Sequence, residues 1–122
     1  MNKKTDREVN ECIFCKIVAR QAPGKEVYHD GQVTAFRDNR PAAPVHILIV
    51  PNQHIASIDD LMPQHEPLVG HLFTVARQLA QQEGIADSGY RLIINNGPDA
   101  GQAVFHLHLH LMGGQRMRYP MG

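Results

Sequence analysis

The chain has 122 residues, 43% of them hydrophobic and 20% charged, which fits one domain with a real core and excludes two ordinary ones. Twelve basic residues balance twelve acidic ones, so no broad electrostatic footprint exists for nucleic acid or an anionic membrane, and a small anion would have to be held by a local site. No apolar run approaches the ~20 residues of a membrane span, and the polar first ten residues lack the apolar segment of a signal peptide. The reading is a cytoplasmic protein with a flexible N-terminal segment, 1–10, ahead of a single domain over 11–122.

Along the chain, Ile13, Phe14, Ile17 and Val18 make one face of a short helix within 11–19. Two short strands follow, at 27–29 and 33–36, with the hairpin signal Asp30-Gly31 between them. A proline-punctuated loop covers 38–44. The nearly continuous apolar run 45–50 predicts a central strand that Pro51 stops. Residues 57–61 predict a helical turn. Leu68, Leu72, Val75 and Leu79, widened by Val69, Phe73, Ala76 and Ala80, predict a long helix packed on a sheet, with Pro63 or Pro67 in its first turn and Gly84 as its cap. A strand at 90–95 and a glycine-bearing loop at 96–101 lead into the last strand. Short loops between strands favour an antiparallel sheet with helices on one side, an α+β domain.

The chemistry concentrates in His106-Leu107-His108-Leu109-His110-Leu111. With a period of two, a strand puts the three leucines on one face for a core and the three imidazoles on the other. One reading is a partly exposed edge strand. A second is a zinc site, but same-face neighbours are roughly 6–7 Å apart, so three rings would have to lean hard to share one ion with nitrogens at about 2.0–2.1 Å. The third is phosphoryl chemistry: a neutral imidazole is a good nucleophile near neutral pH. Backbone N–H groups of 101–104 are placed to bind phosphate oxygens without net charge. The two cysteines, Cys12 and Cys15, have zinc-ligand spacing, but alone they are half a site.

The histidine stretch preceded by Gly101-Gln102-Ala103-Val104-Phe105, together with Ile13-Phe14-Cys15-Lys16-Ile17, Ala35-Phe36-Arg37-Asp38 and the run 44–51, resembles the histidine triad (HIT) proteins, and within them the Hint branch. The resemblance runs from about Ile13 to Pro120. It implies a five-stranded antiparallel sheet with one long and one short helix, joined into ten strands in a homodimer. It implies hydrolysis of purine nucleoside phosphoramidates and related mixed anhydrides, with no metal in the chemistry. By the same resemblance His108 attacks the α-phosphorus, with His46, His110 and His106 beside it. Asn95 donates to a phosphate oxygen, and Gly101, Gln102 and Ala103 form the loop beneath. Asp38 accepts from the ribose hydroxyls, Phe14, Ile17 and Phe36 line the base pocket, and Asn39 adjoins the base. Taken residue by residue, Asp38 can also open a turn, Asn95 can bond to its own loop, and the apolar side chains can be plain core.

Two positions depart from the Hint pattern. Ala103 stands where many relatives carry a serine, and Asn39 replaces what is commonly an apolar contact. The resemblance also extends the cysteine pair to a zinc set of Cys12, Cys15, His54 and His106. The alternatives are a dinucleoside polyphosphate hydrolase, whose branch usually has glutamine near the end of the triad where this chain has Leu111-Met112-Gly113-Gly114, and a nucleotide-binding module with vestigial activity. In the tail, Arg116, Arg118 and Tyr119 are either leaving-group contacts or a solvated end.

Overall fold

The computed structural model describes residues 11–119; the expected flexible segment 1–10 and the last three residues of the tail lie outside them. Five strands form one antiparallel sheet in the order β1-β2-β3-β5-β4. They are β1 (Glu26–His29), β2 (Val33–Arg37), β3 (Val45–Pro51), β4 (Tyr90–Ile93) and β5 (Leu109–Gly113). The helices are α1 (Ile13–Val18) and α2 (Glu66–Gln82), with short 3-10 turns at Ile58–Asp60, Pro63–His65 and Pro98–Ala100. None of the helices described is long and apolar enough to cross a membrane.

Alternation along the strands sorts side chains onto two faces. Val33 and Ala35 of β2, Ile47 and Ile49 of β3, and Leu107, Leu109 and Leu111 pack with Leu68, Leu72, Val75 and Leu79 of α2. Phe36, Leu48 and Val50 point the other way and pack with Cys12 and Phe14. The two helices therefore lie on opposite faces, not on one side as the loop lengths suggest. A helix as short as α1 carries too little sequence to reveal which face it covers.

Several details depart from the pattern reading. Phe73 is 43% exposed on α2 and Ile13 46% exposed on α1, so each sits beside the buried stripe rather than in it. Pro63 opens a 3-10 turn and Pro67 sits in the first turn of α2, so both prolines serve. Gly84 follows the helix end at φ +74°, the left-handed geometry that glycine adopts without strain. Pro51 is the last residue of β3, and β4 stops at Ile93, short of Asn95.

The largest difference is in the histidine stretch. Regular β5 begins only at Leu109, so His106 and His108 precede the ladder in irregular backbone. The alternation survives: all three leucines enter the α2 core. The hairpin forms as expected, with Asp30 Oδ1 accepting the amides of Gln32 and Val33 at 2.8 Å each. Asp30 Oδ2 also accepts from Tyr28 and from His71 of α2, each at 2.6 Å, which ties the long helix to the turn. Burial opposes ionisation of this carboxyl, but those four bonds outweigh it and hold its pKa well below the usual range.

Candidate functional site

Three of the expected rings meet on the α1 face of the sheet, where β3 lies beside β5. His46 Nε2 is 2.9 Å from His110 Nδ1, and the His108 and His110 ring centroids are 4.9 Å apart. Main-chain partners decide which nitrogens carry protons. The Ala42 N–H donates to His46 Nδ1 at 3.0 Å, so the neutral His46 ring holds its proton on Nε2 and donates it to His110 Nδ1. His110 then holds its own proton on Nε2, a buried atom with no hydrogen-bond partner among the described residues. His108 Nδ1 lies 2.7 Å from the His106 carbonyl. A carbonyl only accepts, so Nδ1 is protonated and Nε2 presents a lone pair.

The rings are neutral near pH 7. Burial lowers the pKa of His46 and of His108 despite the nearby Asp38 carboxylate, and despite the carbonyl bond at His108. Burial, aided by His108 and His46, pushes His110 down to about 4. Asp38 Oδ2 is 3.4 Å from His46 Nε2. Its Oδ1 accepts the Arg40 amide at 2.9 Å, so one oxygen does open a turn. Asp38, His46 and His110 also offer three donor atoms close together, but the His46 proton already accounts for the His46–His110 contact.

His106 turns elsewhere. Its Nε2–H donates to the Pro51 carbonyl at 2.8 Å, which leaves the Nδ1 lone pair facing Cys12 Sγ at 3.3 Å, Cys15 Sγ at 3.4 Å and His54 Nδ1 at 3.3 Å. Cys15 Sγ and His54 Nδ1 are 3.2 Å apart. A tetrahedral zinc with Zn–N of about 2.0–2.1 Å separates two nitrogens by about 3.3 Å, so the spacing suits that ion. The Pro51 contact is the kind of outer hydrogen bond that fixes a metal-binding histidine. Burial and the neighbouring Cys12 thiol raise the Cys15 pKa to about 12, a penalty on the thiolate that a bound cation reverses. The four residues therefore fit a metal, while the side chain of His106 stands apart from the His46–His110–His108 group.

The remaining expected residues divide. Phe14 is buried, its ring perpendicular to His108 at 5.2 Å and edge-on to Phe36 at 5.3 Å. Ile17 is half-buried beside them and Asn39 is exposed in the loop after β2. Asn95 is half-buried, two residues past the β4 position that pairs with His110. In the loop, the Gly101 and Gln102 amides are already bonded to the Pro98 and Gly97 carbonyls at 3.0 Å each. They are thus withdrawn from the set of anion donors that composition suggested. Ala103 is exposed. Gln102 is buried, accepting the Gly97 amide at 2.8 Å and donating to the Ala56 carbonyl at 2.8 Å. Sequence reasoning missed Ala42, Pro51 and the His106 carbonyl. They act through the main chain, which residue type does not signal.

A two-faced antiparallel sheet with a neutral imidazole group at its β3–β5 seam and a Cys/His cluster alongside defines a small α+β protein built around paired histidines. The chain belongs to the HIT domain family, which it matches over residues 19–117. It is 51% identical over 105 residues to the purine nucleoside phosphoramidase of Escherichia coli, covering 86% of this chain and 88% of that protein. It is 43% identical over 105 residues to protein HitA of Neisseria gonorrhoeae, covering 86% and 97%. Its fold is similar to that of a HIT family hydrolase from Legionella pneumophila, with TM-score 0.88, 45% identity, and coverage of 91% and 99%.

Proposed function

We propose that the protein hydrolyses purine nucleoside 5′-phosphoramidates and related mixed anhydrides, releasing a nucleoside monophosphate through a nucleotidyl-His108 intermediate. The observation that carries this reading is the 2.7 Å bond from His108 Nδ1–H to the His106 carbonyl, which commits the ring proton and frees Nε2 as nucleophile. The relative named a purine nucleoside phosphoramidase supports the substrate class. In the first step a bond forms between His108 Nε2 and the α-phosphorus, the P–N bond to the leaving amine breaks, and the amine takes up a proton. In the second, water forms the new P–O bond, the bond to Nε2 breaks, and the proton released from water restores the one consumed. No step uses a cofactor.

The other residues take roles consistent with their positions. His110, polarised by His46, donates to a non-bridging phosphate oxygen. Asn95 and the loop of Gly101, Gln102 and Ala103 border the phosphate, with the amides of Ala103 and Val104 as donors. Asp38 Oδ2 accepts from the ribose, and Phe14, Ile17 and Phe36 wall the base, with Asn39 at its rim. Cys12, Cys15, His54 and His106 would hold a zinc ion, which supplies a structural crosslink. The subunits form a homodimer in a reducing cytoplasm, where the free thiols persist. The β1 edge is blunted by an irregularity in register between Glu26 and Tyr28, so β4 is the better edge for joining two sheets into ten strands.

Hydrolysis of adenosine 5′-phosphoramidate by wild type and His108→Ala, with mass analysis of acid-quenched protein, tests the chemistry. The expected outcome is a nucleotidyl adduct on wild type alone and a loss of more than about 10³-fold in the variant. An active His108→Ala overturns the reading.

A further inference from the structure

We propose that the Cys12–Cys15–His54–His106 cluster, when it holds zinc, positions the nucleophile, acting through Phe14 and through the main chain of His106. This rests on the nucleotidyl-His108 reading and adds to it a cause for the pose of that ring.

His108 lies just before β5, where no sheet ladder holds the backbone. Other contacts must fix it. From one side, the His106 carbonyl accepts His108 Nδ1–H. The position of that carbonyl is set by the His106 ring, pinned between the Pro51 carbonyl and the two thiols, and by the Leu107 amide on the Ile55 carbonyl at 2.7 Å. From the other side, Phe14 meets the His108 ring at 90°. Phe14 stands between the two cysteines in sequence. Cys12 is fully buried and caps α1, its Sγ accepting the Cys15 amide at 3.3 Å. Drawing Cys12 and Cys15 onto one ion with His54 and His106 therefore fixes in one act both the ring that packs on His108 and the carbonyl that chooses its tautomer. Without the ion, the four side chains are held at 3.2–3.4 Å only by weak thiol–imidazole hydrogen bonds, and both contacts on His108 are expected to loosen. Cys12, Cys15 and Phe14 are in this sense positioning residues for His108.

The test compares zinc-loaded full-length protein with the same protein stripped by a chelator, labelled with ¹⁵N-histidine. The loaded protein is expected to take up one zinc and to show His108 in a single Nδ1–H form. Stripping is expected to move its two nitrogen shifts toward each other and to lower kcat for adenosine 5′-phosphoramidate at least about tenfold, with KM changed less than about twofold. Zinc restores both. Cys15→Ser should behave as stripped protein. Phe14→Leu should keep its zinc yet show the same shift movement, and if Cys15→Ser does not fold, the loaded and stripped wild type decide the role of the zinc. Failure to bind zinc overturns the proposal. So does a stripped protein that keeps the single tautomer and full kcat while losing only thermal stability. If the loaded protein turns over no phosphoramidate, the functional reading fails separately and the nitrogen shifts still decide the positioning.

Discussion

At the scale of single residues, the site depends on which atoms hold protons and on where a donor is missing. Ala103 is exposed in the loop before His108 and brings no hydroxyl. A hydroxyl facing developing charge on phosphate is worth about 1–3 kcal/mol. Ala103→Ser is therefore expected to raise phosphoramidate turnover by about five- to 150-fold, read as kcat/KM; no gain would mean that this side chain does not face the phosphate. The reactive residue types were legible in the sequence, since three histidines alternating with three leucines separate an imidazole face from a core face. Their individual jobs came from the family resemblance and not from the alternation. His106 differs from His108 and His110 only because its ring meets the Pro51 carbonyl and two thiols. Gln102, legible as part of a loop, proves to be the buried side chain that braces it against Ala56.

At the scale of elements, strand alternation and the stripe of α2 were legible because each is a repeating pattern sampled many times. Boundaries were less so: the leucine–histidine alternation continues through His106 and His108, although the ladder begins only at Leu109. Side-chain direction is periodic in both segments, and hydrogen bonding, which separates them, leaves no mark on the pattern. The outer edge of β4 carries the element-level prediction. Tyr90 is 37% exposed there, and the strand has no partner beyond β5 among the described residues. Sedimentation at micromolar concentration is expected to give twice the mass of one chain; a monomer would remove the ten-stranded reading. The Cys/His cluster joins three distant segments, and no local pattern in any of them announces the others.

At the scale of the molecule, burying uncharged histidines makes stability depend on pH. The ordinary histidine pKa is about 6.5. In the folded protein His110 is pushed down to about 4 and His46 is also lowered, by burial first. Between those values the unfolded chain binds protons that the folded one refuses. Their contribution is thus fully present above about pH 6.5 and is lost as pH falls toward 4, with a slope of up to about 1.4 kcal/mol per pH unit for each ring. Asp30 also loses its stabilising effect on acidification, beginning where an ordinary carboxyl titrates and continuing well below that range. Urea denaturation in the presence of a chelator, which removes any contribution from metal release, is expected to show a falling midpoint from pH 6.5 to 4.5. His110→Asn should flatten the fall, and an equal slope in that variant would refute the assignment.

The Ala42 amide that begins the imidazole relay can give a hydrogen but has no lone pair to receive one. The one ring downstream, His110, inherits that orientation, so a group that reaches its Nε2 meets a hydrogen. If His110 meets the substrate phosphate as proposed, preference for anions over cations is written into the main chain, at a position where nineteen of the twenty amino acids would serve and proline alone would erase it.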